Sequence, residues 1–203
     1  MALTDRFRDA LALAFDLHRG QVRKGTRIPY VSHLLGVCDL VLFDGGDEHE
    51  AIAALLHDAA EDQGGREVLE RIRERFGKRV AGIVEACSDA LVPKGAEKPP
   101  WRTRKEAYLA RLPEHPEAWR VSLADKLNNA RAVLADLRRA DDREQVWNRF
   151  NGKKDGTLWY YRAMADFFGE GRRGWMAEEL DRTVGELEAL AEERAARTIT
   201  GNG

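Results

Sequence analysis

A histidine beside an aspartate, His57-Asp58, is followed closely by a second acidic pair, Glu61-Asp62. On a continuous helix His57 and Glu61 share one face at one-turn spacing, and Asp58 and Asp62 share the adjacent edge. One imidazole and three carboxylates near a helix C-terminus run against the helix dipole, so something else must favour them. A divalent cation does so, because imidazole nitrogen and carboxylate oxygen suit Zn, Mn or Fe. The plainer reading makes His57 a core histidine and the acids a solvated helix end.

Two further clusters bear on that choice. Asp125-Lys126-Leu127-Asn128-Asn129 lies inside an apolar stretch, with Val121, Leu123, Ala124 and Leu127 around the acid. Asp125 and Asn129 share a helix face, and a carboxylate in such surroundings needs a partner. A metal meets that need, and so does an ion pair with Lys126 or an arginine. The third cluster is a basic loop, Arg23-Lys24-Gly25-Thr26-Arg27, leading through Pro29 and Tyr30 to His33. Arg23, Lys24 and Arg27 beside a glycine can clamp phosphate, and arginine can also stack on a purine.

The elements that must position these residues are helical. Leu3, Phe7, Ala10, Leu11, Ala14 and Leu17 recur at three- and four-residue spacing, with Thr4 or Asp5 as N-cap and Gly20 as the stop. Pro29 precedes a second apolar segment, YVSHLLGVCDLVLF, closed by Gly45-Gly46. Asp47 caps the next helix, EHEAIAALLHDAAED, and Gly64-Gly65 breaks the chain before REVLERIRERF. Gly77 separates that helix from KRVAGIVEACSDAL. PKGAEKPP reads as a loop, TRKEAYLARL as a helix, and Pro113 and Pro116 set off the long helix that carries Asp125. FNGKKD reads as a turn before GTLWYYRAMADFF, and MAEELDRTVGELEALAEERAA is amphipathic with acid–base pairs at helical spacing. Strand signals are nearly absent. The expectation is one all-α domain over 1–203.

Composition narrows the partners. The chain has 203 residues, with 33 Lys+Arg against 35 Asp+Glu and a net charge of -2. So balanced a charge gives no whole-molecule reason for nucleic-acid or membrane binding. Cys38 and Cys87 stand singly in apolar stretches, which excludes zinc-ribbon and disulfide-scaffold readings and suggests buried thiols. No apolar run is long enough for a signal-peptide core or a bilayer span, so the expected location is cytoplasmic. The amphipathic C-terminal helix is compatible with a homodimer contact, although docking on its own core is preferred.

Taken in order, H-R-G-Q-x-R-K-G … P-Y-x-x-H, L-L-H-D-x-x-E-D and L-A-D-K-L-x-N resemble the HD hydrolase domain of the RelA/SpoT family. The likeness is greatest to its small stand-alone alarmone hydrolases. It covers core motifs over 15–131, with a weaker echo in the C-terminal helices over 154–197, through Trp159-Tyr160-Tyr161. The resemblance implies an HD-domain bundle of about eight to ten helices. It also implies one divalent ion, typically Mn2+, held by His33, His57, Asp58 and Asp125. Glu61 and Asp62 match the acidic pair that activates or positions the attacking water. Arg23 and Lys24 match residues near guanine and its phosphates, Asn129 matches one near ribose and phosphate, and Tyr160 or Tyr161 matches a nucleotide-contacting tyrosine. His18 and Gln21 belong to the same pattern, with His18 read as structural support for the loop.

The implied activity is hydrolysis of (p)ppGpp at its 3′-pyrophosphate. The chain ends before the family's synthetase domain would begin, so degradation without synthesis is expected. The loop K-G-T-R-I-P-Y departs from the S-G-x-P-Y form of the long bifunctional enzymes. That departure keeps open a phosphatase acting on ppApp, NADPH or a nucleoside monophosphate. A non-catalytic nucleotide-binding regulator is the alternative from another class, although its usual losses of a ligand or an acid are absent here.

Overall fold

The computed structural model describes residues 2–93, 95–171 and 174–200, with side chains described through residue 193. Among these residues there are ten α-helices and no named strand, in agreement with an all-α HD-domain bundle. The chain divides into two compact units, residues 1–125 and 126–203.

In the first unit, α1 (Asp5–His18) begins at Thr4, whose side chain accepts from the Arg6 amide. α2 (Val31–Phe43) and α3 (Glu48–Leu56) follow. α3 starts with a capping box, in which the Asp47 side chain takes the Glu50 amide and Glu50 takes the Asp47 amide. All residues from Glu50 to Leu56 are buried, so α3 is the central helix of this unit, and α1, α2 and α5 pack on it. The buried Glu50 carboxylate is satisfied by Arg120 Nη1 at 2.5 Å, and Arg120 Nε also donates to Asp44 at 2.9 Å.

Two sequence expectations are corrected here. EHEAIAALLHDAAED is not one helix, because α3 stops at Leu56 and α4 (Ala59–Gln63) restarts after a turn at His57-Asp58. Asp58 has φ -93° and ψ -6°, near the sparsely populated bridge between helix and strand, which interrupts the helical ladder. Glu61 and Asp62 therefore stand in the first turn of a new helix and not at the end of the old one. The dipole argument against them reverses in sign, although five residues give it little strength. In addition, Cys87 is only partly buried, whereas Cys38 is buried with its thiol pushed up to about 12 by desolvation.

α5 (Arg66–Cys87) is broken internally at Gly77, whose φ of +87° and ψ of 170° belong to glycine; a Cβ there would meet nothing within 4 Å. The break falls where the sequence placed it. α6 (Trp101–Arg111) and two short 3₁₀ turns lead into α7 (Trp119–Arg139).

The second unit holds the remainder of α7, then α8 (Arg143–Asn148), α9 (Lys153–Gly171) and α10 (Trp175–Thr200). No periodic signal marks α8, which is six residues long. α9 packs on α8 and on α10. Val133, Leu137, Met164, Phe168, Leu180 and Leu187 are among the buried side chains of this unit.

Candidate metal centre

The HD turn lies at the end of the most deeply buried helix, so the fold delivers His57 to the interior. His33 projects from the first turn of α2, Asp58 from the turn itself, and Asp125 from the buried face of α7. Four atoms converge. His57 Nε2 lies 3.0 Å from Asp58 Oδ2 and 3.6 Å from Asp125 Oδ1. His33 Nε2 lies 3.2 Å from Asp125 Oδ1 and 3.5 Å from Asp58 Oδ2. His57 Nε2 is buried and makes no hydrogen bond despite these short approaches. Two imidazole nitrogens and two carboxylate oxygens thus approach one another to between 3.0 and 3.6 Å. The ligand atoms of His33, His57 and Asp58 lie within 4.8 Å of one another, and the set fits a divalent cation.

Neighbouring groups orient these donors. His57 Nδ1 bonds the Ala54 carbonyl at 2.8 Å, which leaves Nε2 facing the cradle. Tyr30 Oη donates to Asp58 Oδ2 at 2.6 Å. Burial disfavours charge on both imidazoles, yet Asp58 and Asp125 outweigh it and raise both rings. Burial likewise opposes charge on Asp58, but the histidines hold its carboxyl well below the usual range. Positive charge is what this cluster calls for.

The acidic pair has a different setting. Glu61 accepts from the Asp89 amide at 3.0 Å and from Lys98 Nζ at 2.9 Å, so each of its oxygens is engaged. Asp89 is itself held by Arg104 and by Lys105 Nζ at 2.7 Å. Burial would raise the Asp89 carboxyl, but Lys105 and Arg104 hold it at about 2. Burial and Asp89 push the Glu61 carboxyl up. Asp62 Oδ2 accepts from Gln21 Nε2 at 2.8 Å, while Asp62 Oδ1 lies 3.9 Å from Lys98 Nζ.

The basic loop is more ordered than its composition suggested. Arg23 N bonds the Ile28 carbonyl at 2.8 Å, Tyr30 N bonds the Gln21 carbonyl at 2.9 Å, and Val22 bridges Pro29. Gly25, at φ +71°, makes the turn possible. Arg23 is half-buried and Lys24 exposed.

The structure thus brings His33, His57, Asp58 and Asp125 together and puts Glu61 and Asp62 one short turn beyond. Asn129, Tyr160 and Tyr161 belong to the second unit, where both tyrosines are buried and Lys126 Nζ sits 5.7 Å from the centre of the Tyr160 ring. Asp125 Oδ1 has His33 and His57 as neighbours. Sequence reasoning gave no role to Tyr30, Lys98, Asp89, Arg104 or Lys105. Tyr30 stood in a quoted motif, whereas Lys98 lies in a loop with no local signal at all.

Comparison with known proteins comes to the same region. The HD domain family profile matches residues 10–158. A protein of Xenopus tropicalis named guanosine-3′,5′-bis(diphosphate) 3′-pyrophosphohydrolase MESH1 is 36% identical over 136 residues, covering 64% of this chain and 69% of that protein. Its namesake in Drosophila melanogaster is 33% identical over 130 residues, covering 62% and 68%. A longer protein of Aquifex aeolicus, named for the same pyrophosphohydrolase activity, is 37% identical over 125 residues, which are only 17% of its length. A solved structure described as a metazoan ortholog of SpoT that hydrolyzes ppGpp matches with a TM-score of 0.69 at 27% identity, covering 90% of this chain and 96% of that one.

Proposed function

Because the chain belongs to the HD-domain family, in its small alarmone hydrolase branch, we propose that it hydrolyses (p)ppGpp to GDP or GTP and pyrophosphate. The observation that carries this reading is the convergence of His33, His57, Asp58 and Asp125 next to an intact acidic pair. The cradle would hold one divalent ion, Mn2+ by the resemblance, with Asp125 as its fourth ligand. Such an ion supplies Lewis acidity that lets water attack near neutral pH.

The chain's own residues do the rest. Water adds to the phosphorus joined to the ribose 3′-oxygen, the P–O3′ bond breaks, and the 3′-oxygen leaves as a hydroxyl, taking up the proton that the water gives up. Asp62 is the better-placed acceptor of the water's proton, because both Glu61 oxygens already accept hydrogen bonds. Glu61 then anchors the cations Lys98 and Arg104 beside the site. Arg23 and Lys24 would offset charge on the pyrophosphate. Asn129 and one of Tyr160 and Tyr161 are substrate contacts on the resemblance alone.

The same reading treats 1–203 as one functional domain working in the cytoplasm. No helix among the described residues is long and apolar enough to cross a membrane. The altered loop K-G-T-R-I-P-Y favours one second reading, in which the site acts on ppApp, NADPH or a nucleoside monophosphate. Incubating the purified, Mn2+-loaded chain with each nucleotide decides between them. Equal amounts of GDP and pyrophosphate from ppGpp support the leading reading. Intact ppGpp alongside phosphate release from another nucleotide overturns it.

A further inference from the structure

Gln21 is bonded on every side. Its main chain closes the base of the basic loop, with Gln21 N on the His18 carbonyl and Tyr30 N on the Gln21 carbonyl, each at 2.9 Å. Its side-chain oxygen meets His18 Nδ1 at 2.7 Å and takes Gln63 Nε2 at 2.7 Å. Its side-chain nitrogen donates to Asp62 Oδ2 at 2.8 Å.

These contacts determine which way the amide points. His18 is buried, desolvation lowers its pKa, and its Nε2 has no hydrogen-bond partner. A neutral ring with its proton on Nδ1 spends that proton on Gln21 Oε1 and leaves Nε2 as a bare lone pair. The alternative tautomer would bury an unused N–H, which is the costlier choice. His18 also stacks on Tyr30, with ring centroids 5.2 Å apart. With two donors on its oxygen, the Gln21 amide can present only N–H to Asp62. The loop 22–29 therefore hangs between two posts: residue 21 holds one acid of the second pair, and residue 30 holds the aspartate of the first.

We infer that Gln21 is a positioning residue: its amide occupies Asp62 Oδ2 and thereby leaves Oδ1 as the atom that meets the attacking water. This inference rests on the reading of Asp62 as a participant in hydrolysis. It assigns Gln21 a part in catalysis separate from holding the loop, and makes the His18–Gln21 pair a fixed dipole behind the acid.

The decisive variants are Gln21→Glu, Gln21→Leu and Asp62→Ala. Gln21→Glu keeps the shape and still accepts from His18 and Gln63, but sets an acceptor against Asp62. Its kcat should fall by about 30-fold with KM within about twofold, because a misplaced general base is a loss of proton transfer and not of binding. In the Asp62→Ala background the same substitution should cost nothing further. An undiminished kcat for Gln21→Glu, or a full additional loss in the Asp62→Ala background, overturns the inference.

A second cycle reads the link without turnover. Gln21→Leu and Asp62→Ala should each change the melting temperature of the full chain by roughly 3 °C, and the double variant by no more than the larger single change. Additive shifts overturn the inference. If wild type leaves ppGpp intact, the substrate reading fails, and this thermal cycle still decides whether Gln21 and Asp62 act as a pair.

Discussion

The two halves of the HD-to-acid segment are built on opposite plans, although only one short turn separates them. His57 and Asp58 meet His33 and Asp125 in a buried cluster of two imidazoles and two carboxylates. Glu61 has both oxygens engaged, by Lys98 and the Asp89 amide, and Asp62 has one oxygen held by Gln21. The first half gathers nitrogen and oxygen donors that suit a divalent cation. The second half is held in place by the protein's own side chains and leaves Asp62 Oδ1 for water. A metal site and a base need that difference: ligands must await an ion, whereas a base must be held in one orientation without being neutralised.

Substitutions that break the first half should have the largest effects. His57→Ala removes a central ligand, so turnover should fall by about 10³-fold or more and bound metal should drop well below one per chain by elemental analysis. Retained metal with lost turnover would move His57 out of the cradle. Tyr30→Phe deletes only the hydroxyl on Asp58 and should weaken Mn2+ affinity by about 10–100-fold, measured by calorimetric titration. Unchanged affinity there would mean that Asp58 is positioned without it.

The second half should respond differently. Lys98→Ala takes the charge from Glu61 Oε1 and should lower kcat by roughly tenfold, the scale of one charge-assisted hydrogen bond, with metal content unchanged. Metal loss in this variant would show that the two halves are not separable. The smallest effect on chemistry is expected from Asp47→Ala, which removes the cap of α3. It should lower stability by about 1 kcal/mol, or roughly 3 °C in melting temperature, while specific activity at 25 °C stays at the wild-type level.

The same division explains what could be read from the sequence. The caps at Thr4 and Asp47 and the break at Gly77 each carry a residue type whose local physics dictates the structure, and each was legible. His57, Asp58 and Asp125 were legible as candidates because histidine and aspartate in apolar segments demand an explanation, whereas His33 rested on the family resemblance. The interruption at His57-Asp58 was not legible, since neither glycine nor proline marks it. The setting of the acidic pair was hidden for another reason. Lys98 is 37 residues from Glu61 and Gln21 is 41 from Asp62, so their meeting is a product of the fold and not of spacing. α8 escaped notice because six residues are too few to show a period.

One divalent ion in the His33–His57–Asp58–Asp125 cradle is proposed to drive alarmone hydrolysis. This is tested most directly by stripping the chain with chelator and titrating Mn2+ back while GDP and pyrophosphate are measured from ppGpp. The predicted result is no turnover without metal, then equimolar GDP and pyrophosphate whose rate reaches a plateau at one ion per chain. Turnover that survives chelation, or metal binding at one per chain with ppGpp left whole, would contradict it.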